Sequence, residues 1–168
     1  MAAEWKTAYL GEIVRFQAGS VFAPQHQGQS EGDYPFVKVS DMNSPANGIS
    51  ICEAKNWVSA GVANQIKAKP LPAGTVVFAK IGEALRQNRL RRIIRPTIVD
   101  NNMMGAVPTG QGIDSDFLYY AMSRYDFSSI AQGTALPYLT VSALSRQTLS
   151  LPCFSEQRAI AHILGTLD

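Results

Sequence analysis

Apolar and polar positions along this chain change places every few residues, and no single period persists until the C-terminus. The run Leu10-Gly11-Glu12-Ile13-Val14-Arg15-Phe16 has the spacing of a short helix. Residues 17–33 hold Gln, Gly, Ser and Pro with little periodicity and are expected to form a long mobile loop. Residues 36–39 predict a strand with one inward and one outward face, and residues 49–52 repeat that alternation. Residues 59–66 read as a short helix stopped by Lys69-Pro70-Leu71-Pro72. Pro72-Ala73-Gly74 is a turn into a strand over 75–80. Further short strands are expected at 90–95, 97–99 and 103–107, broken by Pro96 and Asp100-Asn101-Asn102.

Asp114 is placed to cap a helix over 115–125, with Phe117, Leu118, Ala121 and Met122 on one face. A second short helix is expected over 127–132, stopping at Gly133. One helical turn follows at 142–146, then a strand over 148–151 ended by Pro152. From Ser155, read as an N-cap, the chain is helical to its end, and Ile160, Ile163, Leu164 and Leu167 fall at i, i+3, i+4 and i+7. That narrow stripe has no stop signal after it, as expected for the start of a longer helix that docks to a partner or pairs as a coiled coil.

Charge changes the picture more than composition does. The chain has 168 residues, 46% apolar and 17% charged, enough for one domain, or one domain plus an appendage, with its own core. Its densest apolar run, Val76-Val77-Phe78-Ala79, falls far short of the ~20 residues of a membrane span. Met1-Ala2-Ala3-Glu4-Trp5-Lys6 lacks the layout of a signal peptide. Cys52 and Cys153 are read as buried thiols of a reducing compartment. The formal net charge is only +2, but Lys80, Arg86, Arg89, Arg91, Arg92 and Arg95 crowd one segment against the single acid Glu83. The rest of the chain holds nine basic and twelve acidic residues. Such a polarised field steers a polyanion to one place, and arginine favours bidentate contact with phosphate or guanine edges. A solvated hairpin whose arginines pair with acids elsewhere is the alternative.

Candidate chemistry is sparse. His26 and His162 are isolated, and the two cysteines lack metal-ligand spacing. Gly110-Gln111-Gly112 lacks the further glycine of a phosphate cradle. Ala135-Leu136-Pro137-Tyr138 is close to the Asn-Pro-Pro-Tyr motif of amino-methyltransferases but lacks its asparagine, and reads as a turn with a packed or stacking tyrosine. Asp41, Glu53 and Lys55 have the order in which one nuclease class holds Mg²⁺ beside an activating lysine, which keeps a Mg²⁺-dependent nuclease open as an alternative. A protein-interaction module built on the terminal helix is a second alternative.

Six pieces in order resemble a known family: Trp5 with Leu10-Gly11-Glu12-Ile13; Gly32-Asp33-Tyr34-Pro35-Phe36-Val37-Lys38-Val39-Ser40-Asp41-Met42; Leu71-Pro72-Ala73-Gly74-Thr75 running to Gly82; Asp100-Asn101-Asn102-Met103-Met104-Gly105; Gly133-Thr134-Ala135-Leu136-Pro137; and Leu149-Ser150-Leu151-Pro152 with Glu156-Gln157-Arg158-Ala159-Ile160. Together they resemble the target recognition domain of type I restriction–modification specificity subunits. The resemblance implies non-catalytic, sequence-specific recognition of one half of a bipartite double-stranded DNA target. It implies a second recognition domain in the parent chain, with the helices that follow the two domains pairing as a ruler. It implies partner subunits too: a modification (methyltransferase) subunit and a restriction (translocase/endonuclease) subunit. S-adenosylmethionine, Mg²⁺ and ATP would belong to those partners, and no cofactor to this chain. The setting would be the cytoplasm of a prokaryote.

The expected fold is α+β: a twisted, mixed or antiparallel sheet of short strands with small helices, then a projecting C-terminal helix. Residues 1–153 would be the recognition domain and 154–168 the truncated start of the spacer helix. Arg86, Arg89, Arg91 and Arg92 are candidates for phosphate grip and guanine readout, and Gln87 and Asn88 carry adenine-reading amides. Lys38, Ser40, Lys80, Thr134 and Tyr138 are further candidates at loop or strand ends.

Overall fold

The computed structural model describes residues 4–110 and 112–168. The leading residues 1–3, part of the segment searched for a signal pattern, lie outside them, as does Gln111 of Gly110-Gln111-Gly112. The first half runs β1 (Lys6–Tyr9), α1 (Leu10–Ile13), β2 (Val14–Ala18), β3 (Tyr34–Val37), β4 (Ser50–Ile51), β5 (Trp57–Val58) and α2 (Ala60–Gln65). Then come β6 (Val76–Ala79), α3 (Gly82–Arg86), β7 (Leu90–Ile93), β8 (Ile98–Val99) and β9 (Met103–Pro108). The chain closes with α4 (Ser115–Met122), α5 (Phe127–Ile130), α6 (Val141–Ser145), β10 (Thr148–Leu151) and α7 (Phe154–Gly165).

A five-stranded sheet in the order β2-β9-β6-β7-β4 forms the middle layer. Its strands pair antiparallel except β4, which joins parallel to β7. A three-stranded sheet, β5-β3-β8, and the antiparallel pair β1-β10 complete the fold. β6 shows why the layers form. Every residue of Val76–Ala79 is buried, with Val76 and Phe78 in one core and Val77 in another. A strand covered on both faces has no polar side, so its sequence is one apolar run. Leu10, Phe117, Leu118, Met122, Phe127 and Leu144 from four helices cover the first face. Val37 of β3 and Val99 of β8 cover the second with Met42 and Leu71. A third cluster beneath α2 holds Phe22 stacked on Phe36, ring centroids 3.6 Å apart. Burying Phe36, Phe78 and Phe127 side chains contributes about 1.5–3 kcal/mol each. Gly105 in β9 is required by close packing: a Cβ there would lie 2.7 Å from Leu71 Cδ1.

Asp114 caps α4 as expected, its carboxylate accepting the N–H groups of Asp116 and Phe117, while Ser59, expected inside its helix, is the N-cap of α2 and accepts the Val62 N–H through Oγ. Several expectations need correcting. The Leu10 helix ends at Ile13, because Val14–Ala18 is drawn into pairing with β9. Residues 17–33 are tied down: Phe22 is buried, the Gly28 N–H donates to Asn56 Oδ1 at 2.8 Å, and the Trp57 N–H donates to Gln29 O at 2.8 Å. β3 starts at Tyr34 and is buried across Pro35–Val37, so it shows no inward–outward alternation. Cys153, not Ser155, sits at the N-cap of α7. Both cysteines are exposed, Cys52 just past the edge strand β4 and Cys153 at that cap. The terminal stripe divides as well. α7 packs along α4 through the buried Gln157 and Ala161, with Ile160 and Leu164 half-buried, while Ile163 and Leu167 are 60% and 79% exposed. Among the described residues no helix is long and apolar enough to cross a membrane.

Candidate nucleic-acid interface

Strand direction decides which loops meet. β6 ends at Ala79 opposite Met103, where β9 begins, and Phe78 lies opposite Leu90, where β7 begins. β2 ends at Ala18 opposite Met104, and β3 ends at Val37 beside Val99. The segments that leave these strand ends therefore emerge at one end of the fold. Backbone hydrogen bonds stitch them together: Lys80 N–H to Asn102 O at 2.8 Å, Asp100 N–H to Val37 O at 2.9 Å, and Ser20 N–H to Val99 O at 2.8 Å. Asp100 is the turn former expected of it, its carboxylate accepting the N–H groups of Asn102 (2.8 Å) and Val39 (3.3 Å). Burial pushes the Asp100 carboxyl above the usual carboxylate range, against the pull of these two bonds.

On the helical side of the sheet end, α3 and the 132–138 turn form one lobe. The Gly82 N–H donates to Pro137 O at 2.8 Å, and the Leu139 N–H to Lys80 O at 2.8 Å. Gln132 and Tyr138 exchange two backbone bonds of 2.9 Å, closing the turn. Arg86 donates to Thr134 O at 3.3 Å and pairs with Glu83 at 3.5 Å. Lys80, Arg86, Gln87, Thr134 and Tyr138 thus share this lobe. At its tip stands Leu136, 59% exposed, which the sequence reading does not single out; its one signal is an apolar residue inside a Gly–Pro turn. Asn88 departs from the expected role. It sits at φ 52°, and its amide donates to Tyr125 O at 2.7 Å and accepts from the Phe127 N–H at 2.8 Å. Both ends of the amide are used in holding α3 to α5, leaving none to read adenine.

A second lobe, residues 38–47, lies across the sheet end. Its 3-10 turn, Val39–Asn43, exposes Ser40, and Lys38 Nζ donates to Gln27 Oε1 at 3.3 Å. Arg89 reaches Asn43 Oδ1 of this lobe. Arg91 and Arg92 are neighbours on a strand and leave on opposite faces. Arg91 donates to Met42 O at 2.8 Å, to Leu90 O at 2.7 Å and to Asn47 O. Desolvation lowers its pKa from the usual arginine value. Arg92 turns to α4, paired with Asp116 and lying 5.7 Å from the centroid of the Tyr119 ring. Neither is the free phosphate grip expected of it, because each guanidinium has partners inside the protein. The proposed nuclease set does not assemble as expected either. Asp41 is buried with its carboxylate accepting the Lys38 N–H at 2.8 Å, while Glu53 and Lys55 are exposed and Asn47 binds the Glu53 backbone. Among the described residues no three His, Cys, Asp or Glu side chains are grouped to hold a metal ion.

The profile of the type I restriction modification DNA specificity domain matches residues 2–168. The chain belongs to this family. It is 27% identical, over 98% of its length, to the type I restriction enzyme MjaVIII specificity subunit of Methanocaldococcus jannaschii, of which it spans 40%. It is 25% identical, over 98% of its length, to the EcoDI specificity subunit of Escherichia coli, of which it spans 31%. The fold matches that of the type I restriction–modification S subunit from M. genitalium over 97% of this chain and 38% of that one, with a TM-score of 0.67 at 15% identity. The HsdS subunit from Thermoanaerobacter tengcongensis matches over 99% of this chain and 37% of that one, also at TM-score 0.67 and 15% identity. This specificity domain therefore spans less than half the length of its relatives.

In this specificity domain α7 is joined to the globule by the glutamine of its Glu-Gln-Arg stretch. Gln157 is 1% exposed. Its Oε1 accepts the Asp114 N–H at 2.9 Å, and its Nε2 donates to Gly112 O and Pro152 O at 3.0 Å each. One amide thus fixes the first turn of α7 to the segment that caps α4. The Trp5 indole adds a bond to Glu156 at 3.1 Å.

Proposed function

We propose that this specificity domain reads one half of a bipartite duplex DNA target for a type I restriction–modification complex, contributing recognition rather than chemistry. The observation that carries this reading is the gathering of Lys38, Ser40, Lys80, Arg86, Gln87, Thr134 and Tyr138 on two lobes at one end of the sheet. The acids at that end are occupied, Asp41 and Asp100 by backbone N–H groups and Glu83 by Arg86. With Arg89 and Arg91 at the second lobe, Lys38, Lys80 and Arg86 make five basic groups against these three carboxylates, the balance phosphate contact requires, and amide, hydroxyl and apolar tips are available for base edges. A second recognition domain, a modification subunit and a restriction subunit complete the assembly in the prokaryotic cytoplasm. S-adenosylmethionine, Mg²⁺ and ATP belong to those partners, and no cofactor to this chain. α7 begins the helical ruler, and the exposed Ile163 and Leu167 are the edge on which a second helix pairs as a coiled coil.

Titration of a randomised-sequence duplex by fluorescence anisotropy, from low to moderate salt, tests the reading. Binding should weaken with a logarithmic slope of about 0.9 per phosphate contacted. Absence of binding at the lowest salt would overturn it. The duplex should also stay intact with added Mg²⁺, since cleavage lost in Glu53→Ala would reinstate the nuclease.

A further inference from the structure

The arginine-rich stretch is the chain's most conspicuous basic feature, yet one of its members is built into the scaffold in an unusual way. Arg91 lies half-buried in β7, and the ion pairs of the described residues are Arg86–Glu83 and Arg92–Asp116, so no carboxylate answers its charge. Carbonyl oxygens do. The fork spans Met42 O and Asn47 O, at the two ends of the bend that closes the second lobe, and also takes Leu90 O of its own strand. Asn47 is fully buried and rigid in turn: its Nδ2 donates to Asp41 O (2.9 Å) and Glu53 O (2.8 Å), and its Oδ1 accepts the N–H groups of Cys52 (2.7 Å) and Glu53 (2.9 Å). Arg89 adds a bond to Asn43.

We infer that Arg91 is a positioning residue for specificity: it locks the 38–47 lobe to β7 so that Ser40 and Lys38 meet the duplex at a fixed height beside the first lobe. The inference rests on the DNA-reading function proposed above. The chemistry calls for arginine. A planar fork with five N–H donors can bridge carbonyls that diverge, whereas an ammonium keeps the charge but cannot span them. A direct phosphate contact would behave in the opposite way, since lysine grips a phosphate as a point charge.

That contrast supplies the test, made on the 168-residue chain with Arg91→Lys and Arg91→Ala, and with Arg86→Ala as the comparison. Three quantities are read for each: affinity for a duplex pool selected by the wild type, affinity for the randomised pool, and the salt slope. Arg91→Lys and Arg91→Ala should lose discrimination between the pools alike, by about tenfold, the scale of one misplaced base contact. Their salt slopes should match the wild type, whereas Arg86→Ala should lose about 0.9. Ser40→Ala should reduce discrimination in the wild type and add little in the Arg91→Lys background, because its effect passes through the same lobe. Full discrimination in Arg91→Lys overturns the inference, with a reduced slope in Arg91→Ala then marking a phosphate contact. A wild type that binds no duplex overturns the functional reading instead. Unchanged circular dichroism in the lysine variant separates lobe displacement from unfolding.

Discussion

Gln157→Leu should destabilise the domain by several kcal/mol while leaving its surface almost untouched. Leucine is somewhat larger than glutamine, so no cavity forms and the cost comes chiefly from the lost polar contacts. Three bonds disappear: the Asp114 N–H loses its acceptor, and Gly112 O and Pro152 O lose their donor. Gly112 is exposed, so its carbonyl regains a water partner; Pro152 is buried and Asp114 half-buried. Two groups left unsatisfied at about 1–3 kcal/mol each predict a loss of about 2–6 kcal/mol. A domain of this size stands only ~5–15 kcal/mol above its unfolded state, and a loss of 1 kcal/mol lowers Tm by ~2–4 °C. Urea unfolding at 25 °C should therefore show a lower midpoint with an unchanged slope. Gln157→Glu sharpens the reasoning. At neutral pH its carboxylate would face two carbonyls, so its folded-state pKa must rise. Stability relative to wild type should then improve as pH falls through the carboxyl range, where a proton restores one donor. A loss below ~1 kcal/mol for Gln157→Leu, or a pH-independent Gln157→Glu, would refute the account.

Gly133→Ala should cost ~1–3 kcal/mol, because φ is 79° and the new Cβ would stand 2.9 Å from Leu136 O; a thermal melt within 1 °C of wild type would contradict it. The Tyr125 hydroxyl, which donates to Thr148 O at 2.8 Å, has its pKa pushed up to about 12 by desolvation. Its contribution is present below the ordinary tyrosine pKa of ~10 and is lost as pH rises toward 12. Tyr125→Phe should accordingly flatten alkaline unfolding in that window, which far-UV circular dichroism follows. The exposed Cys153 thiol is drawn below its ordinary pKa, first by its bond with Ser155 Oγ and then by the Glu156 N–H. Iodoacetamide should label Cys153 more slowly in Ser155→Ala at pH 7.5, as mass spectrometry of the Cys153 peptide would record.

Elements that announce themselves locally were readable in advance. The apolar run after the Pro72-Ala73-Gly74 turn is β6, the helix placed over 59–66 is α2, and Asp114 caps the helix placed after it. Elements created by distant partners were not. β1 buries only Ala8 and exists because Thr148–Leu151 pairs with it from the other end of the chain. α3 buries only Leu85 and has no side-chain cap; Gly82 at φ 74° and the Asn88 amide hold it in place. The candidate site was legible in composition but not in orientation. Five arginines in ten residues read as one patch, although the strand placed over 90–95 already required Arg91 and Arg92 to part. What no local pattern could supply was the identity of their partners, Met42 and Asn47 on one side and Asp116 on the other.

Under the DNA-reading function proposed above, the placement of those partners gives the start of β7 and the turn before it a larger part than a charge count suggests. Asn88 holds the helical lobe through Tyr125 and Phe127; Arg89 and Arg91 hold the opposite lobe through Asn43, Met42 and Asn47. Residues 88–91 therefore act as a common reference for two loops that share no segment of chain. Asn88 and Arg89 lie in the turn just before β7, and Arg91 is held within that strand by its register with Val77 of β6. Substitutions at the exposed tips, Ser40 or Leu136, alter what a lobe touches without moving it. Substitutions at Asn88 or Arg91 move a lobe without altering what it carries. The two kinds of change separate in binding data: tip variants should shift which sequence is preferred, and anchor variants should blur the preference for any sequence.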